Sequence, residues 1–421
     1  MDDLLAARWQ MGLSLAFHVI FAVIGMAMPV MMVIAESAWL GTGRSVYLEL
    51  TRRWAKGTAI FFAVGAVSGT VLSFELGLLW PRFMEFAGPI IGMPFSLEGF
   101  AFFLEAIFLG IYLYGWDRIG PRAHLFAGVV VAISGAFSGI FVVTANAWMN
   151  TPAGFTLAGG EVVHVDPIAA MLNPAAGAQV LHMLLAAYMS VGIAVAGVHA
   201  RLLLLDPGHD FHRAALTVAL VVGFVPAVLQ PLSGDFAGKV VARTQPAKLA
   251  AMEAHYETRS RAPIHIGPLA IPGGLSFLAF GDFDATVTGL NDIPAENRPP
   301  VALVHRSFQV MAGIGVLLMV MAVWIAWVSW RRQLFEPRFL LCALVLATPL
   351  GFIALEAGWF VTELGRQPWI IQGVMRTSDA VTPMPGISVS LVLVTLIYLA
   401  LGVIVTFLIR RHVLQTQPVR S

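Results

Sequence analysis

The sequence predicts an all-α, polytopic membrane bundle of nine transmembrane helices, N-terminus outside and C-terminus inside. Three observations carry that reading. Hydrophobic residues fill 58% of the 421 positions and charged residues only 12%, against roughly 25% charged in an ordinary soluble domain. Nine apolar runs each reach the roughly 20 residues needed to cross the hydrocarbon as a helix. Lysine and arginine are also sided. The inner segments hold Arg44, Arg52, Arg53, Lys56, Arg118, Arg122, Arg201, Arg213, Arg331, Arg332, Arg338, Arg410, Arg411 and Arg420, fourteen in all, whereas the short outer segments hold only Arg8, Arg82, Arg366 and Arg376. The long segment 236–302 is left out of that count, because long loops translocate largely regardless of charge.

The runs follow in order. The first, 12–36, comes after "MDDLLAARWQ", which puts acids ahead of the apolar stretch, and no small-residue cleavage site follows it. It is unlike a removable signal peptide and is expected to stay as a helix. Runs 55–81, 96–115, 123–147, 177–204 and 214–235 complete the first block of six spans, 1–235. The segment 236–302 is polar, with a helical piece expected near 246–257 in "QPAKLAAMEAHYET". It is longer than ordinary connections, and long ordered loops are usually functional. Runs 303–329, 339–363 and 387–409 form the last block, 303–421, and "GRQPW" ends the eighth span with the Gly and Pro that break a helix. The single cysteine, Cys342, excludes an internal disulfide or a thiolate cluster. No internal repeat points to an inverted-repeat carrier.

Ionisable groups inside spans are costly, hence functional candidates. With the orientation above, His18, His182 and Met311 lie near the outer starts of spans one, five and seven, and Glu356 lies about two turns before span eight exits. At a rise of about 1.5 Å per residue, all four fall in a slab about 10 Å thick in the outer half. His182 and Met311 make a candidate low-spin haem pair; a hydrogen-bonded core histidine and a packing methionine are the competing reading. Glu98 and Glu105, seven apart, point the same way about 10 Å from each other, which suggests a proton relay. Glu356 fits a relay carboxyl, an ion-pair member or an iron ligand, and Arg366 can offset negative charge on a cofactor.

Several stretches together, "EAGWFVTELGRQPW", "QPAKLAAMEAHYET", "LEGFAFFLEAIFLGIYLYGWDR" and "TANAWMNTP", resemble subunit I of the cytochrome bd-type quinol oxidases, from Arg8 to about residue 400. The resemblance implies that His182 and Met311 ligate a low-spin haem b, and that His18 and Glu356 are axial ligands of a high-spin haem b and a haem d. It implies that Glu98, Glu105 and Lys56 serve the proton route, and that Lys248 and Glu253 serve quinol in the 236–302 Q-loop. Arg8, Asn146, Trp359, Arg366, Gln367 and Gln309 match positions near the haems.

Three departures stand out. Gln309 replaces an Arg, Phe352 replaces a Trp, and the Q-loop is short. The first and third resemble the cyanide-insensitive branch, whose members can carry haem b in place of haem d. The implied activity is quinol oxidation coupled to oxygen reduction in the bacterial plasma membrane. The implied partners are subunit II, small accessory subunits, quinol, oxygen and lipid, and nucleic acid is not among them. The rival readings are a haem-bearing electron-transfer subunit without oxygen reduction and a proton-coupled carrier.

Overall fold

The computed structural model of the chain describes residues 2–267 and 269–414. Arg420, one of the inner cations counted above, lies outside the described residues. Among those residues nine helices are long and apolar enough to cross a membrane, so the expected number of spans stands. The first four are α1 (Asp3–Thr42), α2 (Ser45–Leu79), α3 (Pro81–Tyr114) and α4 (Pro121–Asn150). A short α5 (Pro167–Met171) precedes α6 (Ala176–Leu205) and α7 (Asp210–Thr244). The polar loop carries α8 (Pro246–Met252) and α9 (Gly274–Phe280), and α10 (Val301–Trp330) re-enters the bundle. The eighth span is built from α11 (Arg338–Ala347) and α12 (Leu350–Leu364); α13 (Thr377–Ala380) and α14 (Ile387–Ile409) follow.

Consecutive long helices pair as antiparallel hairpins, α1 with α2, α3 with α4 and α6 with α7. Helix α1 runs through the middle and touches α2, α4, α6, α7 and α14. Its Val23, Met31 and Met32 pack in one continuous core with Ala187 and Val191 of α6, Leu216 and Ala219 of α7, and Leu318 of α10. A second cluster closes the end of the bundle that carries the polar loop, here the loop end: Ala6 and Ala7 of α1, Phe83 and Ile90 of α3, Trp148 of α4, and Ile370 and Ile371. Outward faces of α2, α3 and α14 keep Phe74, Leu78, Phe100, Phe103 and Phe407 exposed, as a lipid-facing or subunit-facing surface requires.

Three details differ from the sequence expectation. Helix α7 continues past 235 to Thr244, so the first part of the polar segment is still helix. The loop helix stops at Met252 rather than near 257, because Ala254 adopts a positive φ of 48° that ends the helical turn. The eighth span is broken at Thr348 and Pro349, since proline has no N–H to continue the ladder. Helix α6 covers that break closely: a Cβ on Gly351 would meet Ser190 Cα at 2.5 Å.

Helix α8 is seated by apolar side chains. Ala250, Ala251 and Met252 pack against Val304 of α10 and Val361 of α12. That seating fixes where Lys248 points.

Candidate functional site

Two part-buried histidines are held in the same way. His18 Nδ1 lies 3.0 Å from Ser68 Oγ of α2, and the Ser68 hydroxyl donates its one proton to the Val64 and Gly65 carbonyls. The serine oxygen can therefore only accept, so Nδ1 carries the proton and Nε2 keeps a free lone pair. His182 repeats the arrangement with α7. Its Nδ1 lies 2.9 Å from Ser233 Oγ, whose proton goes to the Gln230 carbonyl. The Gln230 amide donates to the His182 carbonyl at 3.2 Å and lies equally close to Nε2. A histidine whose Nδ1–H is anchored keeps its lone pair on Nε2, the tautomer that ligates metal; that lone pair is free in His18 and lies beside the Gln230 amide in His182.

Glycines flank the candidate ligands on facing helices. A Cβ on Gly69 would stand 2.9 Å from His18 Cε1, one on Gly234 3.5 Å from His182 Cε1, and one on Gly358 3.0 Å from Met311 Sδ. At Gly69 and Gly358 the facing imidazole or thioether would have to yield to a side chain, whereas the distance at Gly234 is an ordinary van der Waals contact. Two residues before Gly358 on α12, Glu356 has a buried Oε1 without a hydrogen-bond partner.

At the loop end a polar network joins α4, α8, α12 and the turns that hold Gln245 and Arg366. Asn146 donates to Glu363 Oε1 at 2.5 Å, and Arg366 donates to Glu363 Oε2 at 2.6 Å. Asn150, one turn beyond Asn146 on α4, donates to the Asn146 carbonyl. Its own Oδ1 accepts from Lys248 Nζ at 2.5 Å and from Gln245 at 3.2 Å. Burial, reinforced by the Arg366 charge and opposed by Glu363, pushes the Lys248 ammonium down to about 7. Burial pushes Glu253 up to about 6 against the pull of His305. Arg366 is 2% exposed, yet its Nε and Nη1 have no partner. A buried cation with two free donors fits an anionic group.

The other expected residues are dispersed. Glu105 is buried between Gly25 of α1 and Gly135 of α4, and its carboxylate would lie 3.3 Å from a Cβ on Gly135. Glu98 is half-buried on the same face of α3, whereas Lys56 is exposed near the opposite end on α2. Arg8 is half-buried near the loop end, and Trp359 packs on the edge of the main core. Gln367 accepts from Thr377 Oγ1 at 2.9 Å. Gln309 is exposed, two residues from Met311 and so on a different side of α10.

A family model for the cytochrome bd terminal oxidase subunit I matches residues 6–417. The chain belongs to that family. It is 37% identical over 435 residues, covering 98% of both chains, to a Bacillus subtilis protein provisionally named a cytochrome bd menaquinol oxidase subunit I. It is 29% identical to the cytochrome bd ubiquinol oxidase subunit 1 of the same organism, over 98% of this chain and 94% of that one. The bd oxidase structure from Geobacillus thermodenitrificans superposes with a TM-score of 0.93 at 41% identity, covering 99% of both chains. This subunit I is a multi-pass protein of the bacterial inner membrane. Haem is the cofactor that its family implies, and the donor set fits it: two imidazole Nε2 atoms, a thioether, part-buried carboxylates, and an Arg366 with donors left for an anionic group.

The sequence reading passed over Glu363. It stands seven residues after Glu356, on the same face of α12, and three before Arg366. That spacing, carboxylate to carboxylate and carboxylate to arginine, was the available signal. Ser68, Ser233 and Asn150 were also missed, because a serine or asparagine within an apolar run shows nothing of the histidine or lysine that another helix brings to it.

Proposed function

We propose that this subunit I oxidises quinol at the loop end of the bundle and supports reduction of oxygen to water at haem sites held by His18, His182, Met311 and a carboxylate of α12. The observation that carries the proposal is the repeated serine-anchored histidine, which leaves the lone pair of each imidazole on Nε2 in a chain of this family. Haem bound at these residues would supply the one-electron steps and the oxygen chemistry. The residues supply the rest. His182 and Met311 would form the low-spin pair.

The loop end is the outer face in this reading, in keeping with the bias of fourteen inner against four outer cations. Lys248 donates to a quinol oxygen and Glu253 accepts its proton, so protons from quinol leave outside. Protons consumed with oxygen enter from the inner face past Lys56 and move through Glu105 and Glu98. Charge therefore separates across the membrane without a pump. Subunit II is the expected partner, and small accessory subunits can complete the complex. Gln309 and the short loop favour the branch that carries haem b where others carry haem d.

Helix α12 offers two carboxylates to iron, and each has a specific observation behind it. Glu356, named by the resemblance, has the unpartnered oxygen. Glu363 has the supporting bonds, from Asn146 and Arg366, that ligating carboxylates ordinarily possess. Comparing Glu356→Gln with Glu363→Gln assigns the ligand: the variant of the true ligand loses one high-spin haem from the spectrum, and the other keeps all three.

The reduced-minus-oxidised spectrum of the purified complex with extracted-haem analysis, alongside oxygen uptake with quinol, tests the whole reading. Haem without quinol-driven oxygen uptake leaves an electron-transfer subunit. Absence of haem leaves a carrier.

A further inference from the structure

Away from the haem and quinol residues, three buried side chains meet at the end of the bundle opposite the loop. Glu36 of α1, Tyr112 of α3 and His124 of α4 are 0%, 0% and 2% exposed. The Tyr112 hydroxyl donates to Glu36 Oε2 at 2.6 Å. His124 Nε2 lies 2.8 Å from the Tyr112 carbonyl, and its Nδ1 lies 2.8 Å from Glu36 Oε1. A carbonyl only accepts, so Nε2 carries a hydrogen. The contact between Glu36 Oε1 and His124 Nδ1 then holds a single proton, which can sit on either atom. Trp116 covers the imidazole with ring centroids 3.9 Å apart, and the Arg52 guanidinium lies over Trp116 at 5.1 Å.

The same three helices flank Glu105. Tyr112 is seven residues beyond Glu105 on α3, which is about two turns along the same face. Glu36 is eleven beyond Gly25 on α1, and His124 is eleven before Gly135 on α4, each about three turns and again on one face. Gly25 and Gly135 are the glycines against which the Glu105 carboxylate lies. One seam between α1, α3 and α4 therefore runs from the trio to Glu105.

We propose that Glu36 and His124, steadied by Tyr112, are the inner station that loads protons onto this seam toward Glu105. The proposal rests on the reading above that Glu105 carries protons for oxygen reduction. A proton arriving past Trp116 binds the Glu36–His124 pair as another leaves it toward Glu105, so the pair keeps its proton count. The interval from Glu36 and His124 to Glu105, about 16 Å along the axis by the eleven-residue spacings on α1 and α4, requires intervening water.

Glu36→Gln separates this role from a structural one. The amide oxygen can accept from Tyr112 and the amide nitrogen can donate to a neutral His124 Nδ1, so every hydrogen bond survives and only the mobile proton is lost. In the purified holoenzyme, Glu36→Gln should keep its haem content and its rate of haem reduction by quinol. Oxygen-reducing turnover should fall about tenfold or more, with a larger H2O/D2O rate ratio, as expected for loss of a proton-transfer group. Should Glu36→Gln not assemble, His124→Gln is read in the same way. Wild-type turnover and isotope ratio in either assembled variant overturn the proposal. If Glu105→Gln is slow while Glu36→Gln is not, the inner station fails and the Glu105 reading stands; if Glu105→Gln is itself unimpaired, that underlying reading fails.

Discussion

Lys248 Nζ sits 2.5 Å from Asn150 Oδ1, so a lysine of the polar loop reaches into the closed end of the bundle and binds the last turn of α4. The contact is possible because Gly365 leaves room for the lysine stem: a Cβ there would stand 2.8 Å from Lys248 Cγ. The loop and the Glu363–Arg366 network are thereby one unit.

Replacing Lys248 by Met keeps the stem and removes the donor. Losing a charge-assisted hydrogen bond is worth about 1.5–3 kcal/mol, so KM for quinol should rise about tenfold or more while the haem spectrum stays intact. An unchanged KM removes Lys248 from quinol binding.

The two shifted groups predict a bell-shaped pH dependence of kcat/KM. Glu253, pushed up to about 6, is protonated below that pH and cannot accept, so activity rises as pH rises through about 6. Lys248, pushed down to about 7, loses its charge above that pH, so activity falls again on the alkaline side. Glu253→Gln should flatten the acid limb and Lys248→Met the alkaline one. The pH profile of quinol-driven haem reduction in the three proteins checks both limbs, and an unaltered profile in either variant removes that group.

The serines are open to a direct test. Ser233→Ala leaves His182 free to turn or to change tautomer, and removing such a supporting partner typically costs about 10–100-fold in metal affinity or activity. The low-spin haem should become substoichiometric in Ser233→Ala, and a high-spin haem in Ser68→Ala. Haem quantified per complex decides it; full occupancy in both variants would mean that the serines only pack.

Much of the fold was legible because the bilayer demands long apolar runs, and all nine could be read from hydropathy alone. The break in the eighth span was legible in principle, since "ATPLG" sets Pro349 and Gly351 inside the run; the apolar residues on either side masked it. The ligand candidates could be named from position, but not the devices that hold them. Ser68 and His18 are fifty residues apart, and nothing local to either predicts their meeting. Glu363 was overlooked because a carboxylate beside "GRQPW" reads as the polar end of a span, whereas the structure joins it to Asn146, 217 residues away. Tertiary pairing of polar groups across helices is what a one-dimensional pattern cannot carry.

Met311 offers the most selective probe of the low-spin pair. Leucine nearly conserves its volume, and such swaps usually cost less than about 1.5 kcal/mol, so Met311→Leu should fold and assemble. Only the thioether is removed. His182 remains anchored by Ser233, leaving that haem with a single strong ligand, and the low-spin signal should convert to high-spin or disappear while the remaining haem signals persist. Gly358→Ala approaches the same sulfur from the facing helix: its Cβ would stand 3.0 Å from Sδ, so the methionine must yield and the low-spin signal should shift without being abolished. A low-spin spectrum unchanged in both variants would mean that Met311 is a packing residue and that the second ligand lies elsewhere.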